Sequence, residues 1–389
     1  MSSAGATSPR YGNLIAAIAA VGACDIAMGL TLQLLPLLME RQGHPAWLIG
    51  ANAAMGPIGI LMAGPFLPRI IGNMGTRLAV YVAVATMVAV LIALKLSPTV
   101  WLWFPLRFIF GVAAGVLFTV SEAWVLTFAG DGNRGRVMSI YTSVLAVTFS
   151  VGPLILPWTG IDNWWPWAIG IVCVMASILP LAFVKVSHDT FRQEHSGSFF
   201  RFVGKAPLLL FAVGAATLFD SVFISFFTIF GMRHGLELDV ASRILGVGII
   251  GNVLLFYPLG WLADHWSRRG VIVVTACSTI VLSLSLIVLI DTIFIWPATV
   301  LLLASAFGVY VVALAAMGDS FKGPDVMAGS AAFAAMWGVG GLIGPPLAGV
   351  AIDAFGINAM PFTIASFYVI LLIGLALNGG QLVREPSHG

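Results

Sequence analysis

Residues 206–231 read APLLLFAVGAATLFDSVFISFFTIFG, and Asp220 is the one charged side chain in the run. At about 1.5 Å per residue such a segment makes a helix of roughly 39 Å, longer than the ~30 Å hydrocarbon core of a bilayer. A helix satisfies its own backbone donors and acceptors, which the interior of a bilayer demands. The stretch is therefore expected to cross a membrane as one helix. Reading outward, similar apolar runs precede it at 13–39, 46–68, 76–96, 99–126, 136–158 and 164–185, and follow it at 241–263, 270–291, 294–317, 326–350 and 358–381. The expected fold is all-α and integral to the membrane, with twelve transmembrane helices.

Composition agrees. Of 389 residues, 60% are hydrophobic and 9% charged, and the mean hydropathy is +1.03, whereas soluble domains carry about a quarter charged residues. A water-soluble globule is excluded. A net charge of +2, with scattered basic residues, gives no phosphate-binding surface, so nucleic acid is not an expected partner. Cys24, Cys173 and Cys277 stand singly in apolar runs, and the six histidines fall in loops or tails. No disulfide framework, metal site or cofactor is expected. Val21-Gly22-Ala23-Cys24 looks like a lipidation box, but the apolar run continues to Met39, so a retained first helix is the better reading.

Orientation follows from Lys and Arg. With a cytoplasmic N-terminus, thirteen fall on the inner side (Arg10, Arg69, Arg77, Arg134, Arg136, Lys185, Arg192, Arg201, Lys205, Arg268, Arg269, Lys322, Arg384) and four on the outer side (Arg41, Lys95, Arg233, Arg243). Both termini are then expected in the cytoplasm, and the membrane is expected to be the cytoplasmic (inner) one. Trp47, Trp101, Trp103, Trp164, Trp165, Trp261, Trp266 and Trp296 lie near span ends, as in an interfacial belt.

The one long polar connection runs from 186 to 205 and divides the chain into two six-helix bundles, 1–185 and 206–389. The halves share landmarks. Gly64 answers Gly260, 196 residues on, and Gly152-Pro153 answers Gly344-Pro345, 192 residues on. Such spacing suggests an internal duplication, the mark of parallel-repeat transporters.

Two motifs carry more. Gly260-Trp-Leu-Ala-Asp264-His-Trp-Ser-Arg268-Arg269-Gly270 lies between the eighth and ninth spans. Arg107-Phe-Ile-Phe-Gly111-Val-Ala-Ala-Gly115 places an Arg and two Gly on one face of the fourth. On these residues the chain resembles the major facilitator superfamily, with its G-x-x-x-D-x-x-x-R-R loop and fourth-helix R-x-x-x-G-x-x-x-G signatures. Arg107 to Trp124, ending Ser121-Glu122-Ala123-Trp124, followed by Arg134-Gly-Arg-Val-Met-Ser-Ile-Tyr141, looks like its YcaD-type branch. Gly340-Gly-Leu-Ile-Gly344-Pro345 with Gly349 is similar to the glycine-proline motif of exporters, placed in the eleventh helix rather than the fifth. The second-to-third loop departs from the family, with Pro68 where an acidic residue is usual.

Charges inside the spans are Asp25, Arg107, Glu122 and Asp220. Each costs about +2.5 to +3.5 kcal/mol on insertion scales unless paired or hydrated. Asp25 and Asp220 both fall near mid-depth, and the resemblance implies that helices one, four, seven and ten line a central cavity. Arg107 either reaches Asp25 across the first and fourth helices or ties helices together through backbone carbonyls. Asp25 either handles a proton or substrate or is a structural buried group. Loss of an ionic partner in an apolar surrounding favours the protonated form of a carboxylate, which suits proton coupling. Glu122 is expected at an inner gate. Thr217, Ser221, Ser225 and Thr228 form a stripe with Asp220 along the seventh helix, lining the cavity or bonding to a neighbouring helix. Asn52, Tyr141, Asn252, Tyr310 and Trp337 are further cavity candidates.

The expected function is secondary active transport of a small organic molecule by alternating access, driven by protons and directed outward, with one chain sufficient. Uptake of a small metabolite and lipid translocation are the alternatives. There is no nucleotide loop of the G-x-x-x-x-G-K-[ST] kind and no nucleophile–base pair within a span, so an enzyme is not expected.

Overall fold

The structure is a computed structural model and describes residues 11–128, 134–179, 204–321 and 324–378. The described residues form thirteen helices: α1 (Tyr11–Arg41), α2 (Ala46–Ala63), α3 (Leu67–Met74), α4 (Thr76–Leu96), α5 (Val100–Phe128), α6 (Arg134–Thr159), α7 (Trp165–Ala176), α8 (Pro207–Arg233), α9 (Leu238–His265), α10 (Arg268–Leu289), α11 (Ile295–Ser320), α12 (Pro324–Phe355) and α13 (Ala359–Leu377). Eleven are long and apolar enough to cross a membrane. The expected span 164–185 is seen as α7 with a short turn after it, and its continuation lies outside the described residues, as does most of the polar stretch 186–205. The fold is the all-helical multi-pass architecture of a membrane protein.

Most span ends fall within a few residues of expectation, because turn chemistry marks them. Gly75, Gly160, Gly235 and Gly356 take positive φ at helix junctions, a conformation only glycine adopts cheaply. The expected span 46–68 is different: it stops at Ala63, and the amphipathic α3 follows, with Leu67 and Ile71 buried while Arg69 and Ile70 are exposed. Pro68 at the first turn of α3 starts a helix where it cannot continue one. Ser267 caps α10 by accepting the Gly270 N–H at 2.9 Å.

The chain forms two compact units, 1–35 with 58–194, and 36–57 with 195–389. In the first, α1 crosses α6 where Gly29 meets the Phe149 carbonyl and Gly152 meets the Leu30 amide. In the second, α8 crosses α12 where Gly340 lies on Thr217 and Leu218, and Gly344 on Leu218 and Val222. Small residues at a crossing let backbones meet, which is how helices gain packing where lipid removes the hydrophobic drive. The two crossings join the first span to the fifth and the seventh to the eleventh. Along α8, Phe219, Phe223 and Phe227 are fully buried and stacked, with centroids 5.2 and 4.6 Å apart.

Candidate transport site

In the first unit Asp25 lies on α1 at 5% exposure. Its described hydrogen-bond neighbour is Thr148 Oγ1 of α6 at 3.4 Å, a hydroxyl whose single proton is shared with the nearer Val144 carbonyl at 2.8 Å. Gly22 makes room for the threonine: a Cβ there would sit 3.1 Å from Thr148 Cγ2. Arg107 is buried on α5, as is Gly111 one turn on. Gly115, a further turn along, packs on Ile60 and Leu67. Gly115 thus seats α5 on the α2–α3 corner. Tyr141 is 1% exposed and shares a 2.8 Å hydrogen bond with Ser121, so it ties α6 to α5, while the neighbouring Glu122 is exposed.

In the second unit the expected polar stripe separates into two parts. Thr217 donates to the Met336 carbonyl of α12 at 2.9 Å, and Ser221 donates to the Thr217 carbonyl. Ser225 and Thr228 are buried. At about 100° per residue these four positions fall within an arc of roughly 80°, and Asp220 lies about 95° from its centre. Asp220 is half-buried. Thr217 therefore faces α12, and Asp220 lies outside the arc of the four hydroxyl positions. Tyr310 of α11 meets Trp337 of α12 edge-on at 5.8 Å, with Phe307 6.2 Å from the same ring. Trp337 is 38% exposed despite its mid-helix place. Asn252 on α9 is buried with its Oδ1 lacking a partner among the described residues, and Asn52 on α2 is fully buried. Pro345 and Gly344 sit in the middle of α12, whose glycines serve close packing.

At the loop motif, Arg268 pairs with Asp319 at the end of α11 at 3.0 Å, a partner the spacing of the motif did not indicate. Arg269 is exposed and the Asp264 side chain lies outside the described residues. A side chain at Gly260 would meet nothing within 4 Å; the close approaches of α9 are at Gly248, to Thr299 and Leu303, and at Gly251, to Val300. At the other end of the helices, Glu40 holds Arg233 through two bonds of 2.7 and 2.8 Å. There Asp353 accepts the Ala46 and Trp47 amides at 2.9 and 2.8 Å. These partners lie 193 and about 300 residues apart in sequence, so no local pattern could have found them. Among the described residues no three His, Cys, Asp or Glu side chains gather as metal ligands.

The chain belongs to the Major Facilitator Superfamily, whose family model matches residues 15–317, and is thus a membrane transporter. It is 26% identical over 265 residues to the uncharacterized MFS-type transporter YfkF of Bacillus subtilis (strain 168), covering 65% of this chain and 66% of that protein. It is 24% identical over 368 residues to the uncharacterized MFS-type transporter YcaD of Salmonella newport (strain SL254), covering 93% and 95%. In fold it is similar to the nucleoside transporter NupG (TM-score 0.79, 13% identity, 96% of this chain and 100% of that one). It is also similar to a bacterial homolog of the human lysosomal transporter Spinster (TM-score 0.74, 13% identity, 95% and 96%).

Proposed function

We propose that this membrane transporter exports a small organic molecule from the cytoplasm across the inner membrane by proton-coupled alternating access, with both termini cytoplasmic. On this reading the bundles 1–185 and 206–389 rock about a central site, joined by 186–205. The observation that carries the reading is the Asp25 carboxylate, buried in α1 against a single described neutral hydroxyl, that of Thr148. A carboxyl group at such depth is stable when it takes up a proton or a cation and unstable when it is left charged and alone, so its occupancy couples to which side it faces. Asp220, 195 residues later on the equivalent helix, gives the second half an acid at matching depth. The aromatic group of Phe307, Tyr310 and Trp337 supplies an apolar surface suited to an organic substrate rather than a highly charged one.

The test is transport in reconstituted vesicles under an imposed proton gradient, with substrates first chosen by thermal stabilisation of the purified protein. Asp25→Asn should reduce uphill transport to the level of empty vesicles while the folded protein remains in the membrane. Undiminished uphill transport by that variant removes Asp25 from the mechanism. Arg107→Ala should change the pH profile of transport, and an unchanged profile assigns Arg107 a structural part only. The direction of accumulation separates export from uptake, and a labelled lipid in the same vesicles should stay in its leaflet.

A further inference from the structure

Three sulfur-bearing side chains come to one level inside the first compact unit, although nothing in their spacing along the chain announces it. Cys24 of α1 and Met87 of α4 are 1% and 0% exposed, and their Sγ and Sδ atoms lie 3.9 Å apart. Buried cysteine and methionine serve as apolar filler in most interiors, and filler needs only hydrocarbon around it. Here the two side chains turn their soft donor atoms toward each other across two helices.

The third sulfur is carried by α7. Gly170 sets that helix against α1 and α4, since a Cβ there would lie 3.7 Å from Leu30 and Leu91 and 4.0 Å from Ala27. α7 runs opposite to α4: Lys95 in the last turn of α4 donates to the Asp162 carbonyl and lies over the Trp164 ring, just before α7 begins. α1 runs with α4, because Cys24 meets Met87 and, further along both helices, Ala27 and Leu91 meet the same glycine. The step from Gly170 to Cys173 therefore moves about 4.5 Å along the helix toward the level of Cys24 and Met87. Cys173 is half-buried.

The separation of the first two sulfurs has a chemical meaning. Two sulfurs about 2.3 Å from one metal ion stand roughly 4.0 Å apart when the bonds meet at 120°, and about 4.6 Å apart when they are collinear. The 3.9 Å between Cys24 and Met87 fits the bent arrangement, which leaves a third position on the ion. Thiolate and thioether donors select soft ions such as Cu(I). Charge narrows the choice further: a monovalent ion with one thiolate is neutral, whereas a divalent ion keeps a net charge that an apolar surrounding cannot solvate. A cavity of about 20 Å³, with Ala20, Val21, Leu117 and Trp124 in its lining, lies one turn along α1 from Cys24, so the packing beside the pair is not closed.

We propose that Cys24 and Met87, with Cys173 as the third donor, form a binding site for a soft monovalent metal ion of the Cu(I) class. On binding, the Cys24 S–H bond breaks and a sulfur–metal bond forms, with the proton passing to solvent. Met87 and Cys173 donate sulfur lone pairs, and no electron is transferred. The bound ion ties α1 to α4 and α7. The site is read by binding alone and stands apart from the transport reading above.

The probe is Ag(I), which shares the ligand preference of Cu(I). The full chain is reduced and held in lipid nanodiscs in chloride-free buffer, with Cys277→Ser removing the exposed thiol. Native mass spectrometry counts bound ions, and competition with a soft-metal chelator measures affinity. One ion per chain is expected, and Cu(I)-loaded protein should show a first shell of sulfur alone at about 2.3 Å in X-ray absorption. Met87→Leu conserves volume and should weaken binding at least about tenfold, as should Cys173→Ser, while Cys24→Ala should abolish it. Silver should raise the thermal midpoint of the parent and leave that of Cys24→Ala where it was. Parent affinity in Met87→Leu means a thiol capturing silver by itself and overturns the site. So does a chain that binds no ion, or a first shell holding nitrogen or oxygen. Parent affinity in Cys173→Ser overturns the third donor. If Cys24→Ala does not fold, Met87→Leu carries the decision.

Discussion

The α1–α6 and α8–α12 crossings both bring glycines onto a neighbouring backbone, yet the hydroxyls described between them stand on opposite partners. In the first, Gly22 of α1 makes room for Thr148 of α6, and the hydroxyl approaches Asp25. In the second, Thr217 of α8 fills the place opposite Gly340 of α12 and spends its proton on the Met336 carbonyl. Gly22 and Thr217 are 195 residues apart and Thr148 and Gly340 are 192 apart, so the glycine and the threonine sit on opposite helices of the two crossings. The exchange leaves Asp25 with a hydroxyl neighbour and Asp220 with none from that crossing. The two acids thus differ in their neighbours: among the described residues Asp25 has the Thr148 hydroxyl 3.4 Å away, and the Thr217 hydroxyl is bonded to the Met336 carbonyl instead of Asp220.

The largest effect should come from the backbones. A Cβ at Gly152 meets the Leu30 amide and the backbone of Gly29, whereas one at Gly344 meets Leu218 and Val222 at 3.0–3.2 Å. Gly152→Ala should therefore cost about 3 kcal/mol or more and strip folded protein from the membrane, while Gly344→Ala should cost roughly 1 kcal/mol. Equal losses of folded protein, measured by thermal unfolding in detergent, would break the contrast. Next in size is the acid pair. Asp25→Asn should remove uphill transport, and Asp220→Asn should reduce it while leaving part of the coupling; the reverse order would place the working acid in the second half. The hydroxyls follow. Thr217→Val should lower stability by about 0.6 kcal/mol, the usual worth of a hydrogen bond between membrane helices, without altering the pH profile of transport. Thr148→Val should move that profile at little cost in stability. Smallest is Tyr141→Phe, which removes one partner of a single bond to Ser121 and should cost about 0.5 kcal/mol with transport retained and its pH profile unchanged.

Much of the architecture was legible before any coordinates, because a bilayer forces apolar length and backbone self-sufficiency on every crossing segment. The spans around Ala206–Gly231 and Thr76–Leu96 needed no tertiary information. The early stop of α2 at Ala63 did, since Gly64 to Pro68 is apolar enough to continue a span, and only the buried placement of Leu67 and Ile71 makes α3 a separate corner. The site was legible in part. Rarity alone singled out Asp25, Arg107 and Asp220. The stripe Thr217–Thr228 was visible as a periodicity, but not that Thr217 bonds to α12 or that Asp220 lies outside its arc. Thr148, Asp319, Glu40, Arg233 and Asp353 acquire meaning through partners 51 to 307 residues away, and periodicity carries no signal over such distances.

The phenylalanine spine of α8 carries one more consequence. Phe219, Phe223 and Phe227 are packed on all sides and against each other, so no ring has an alternative rotamer to absorb strain. A push on Arg233 at one end of this helix reaches Thr217 as a tilt of the whole rod. Glu40 and Met336, which grip α8 at separate heights, then sense a common displacement, much as two hands on one lever do.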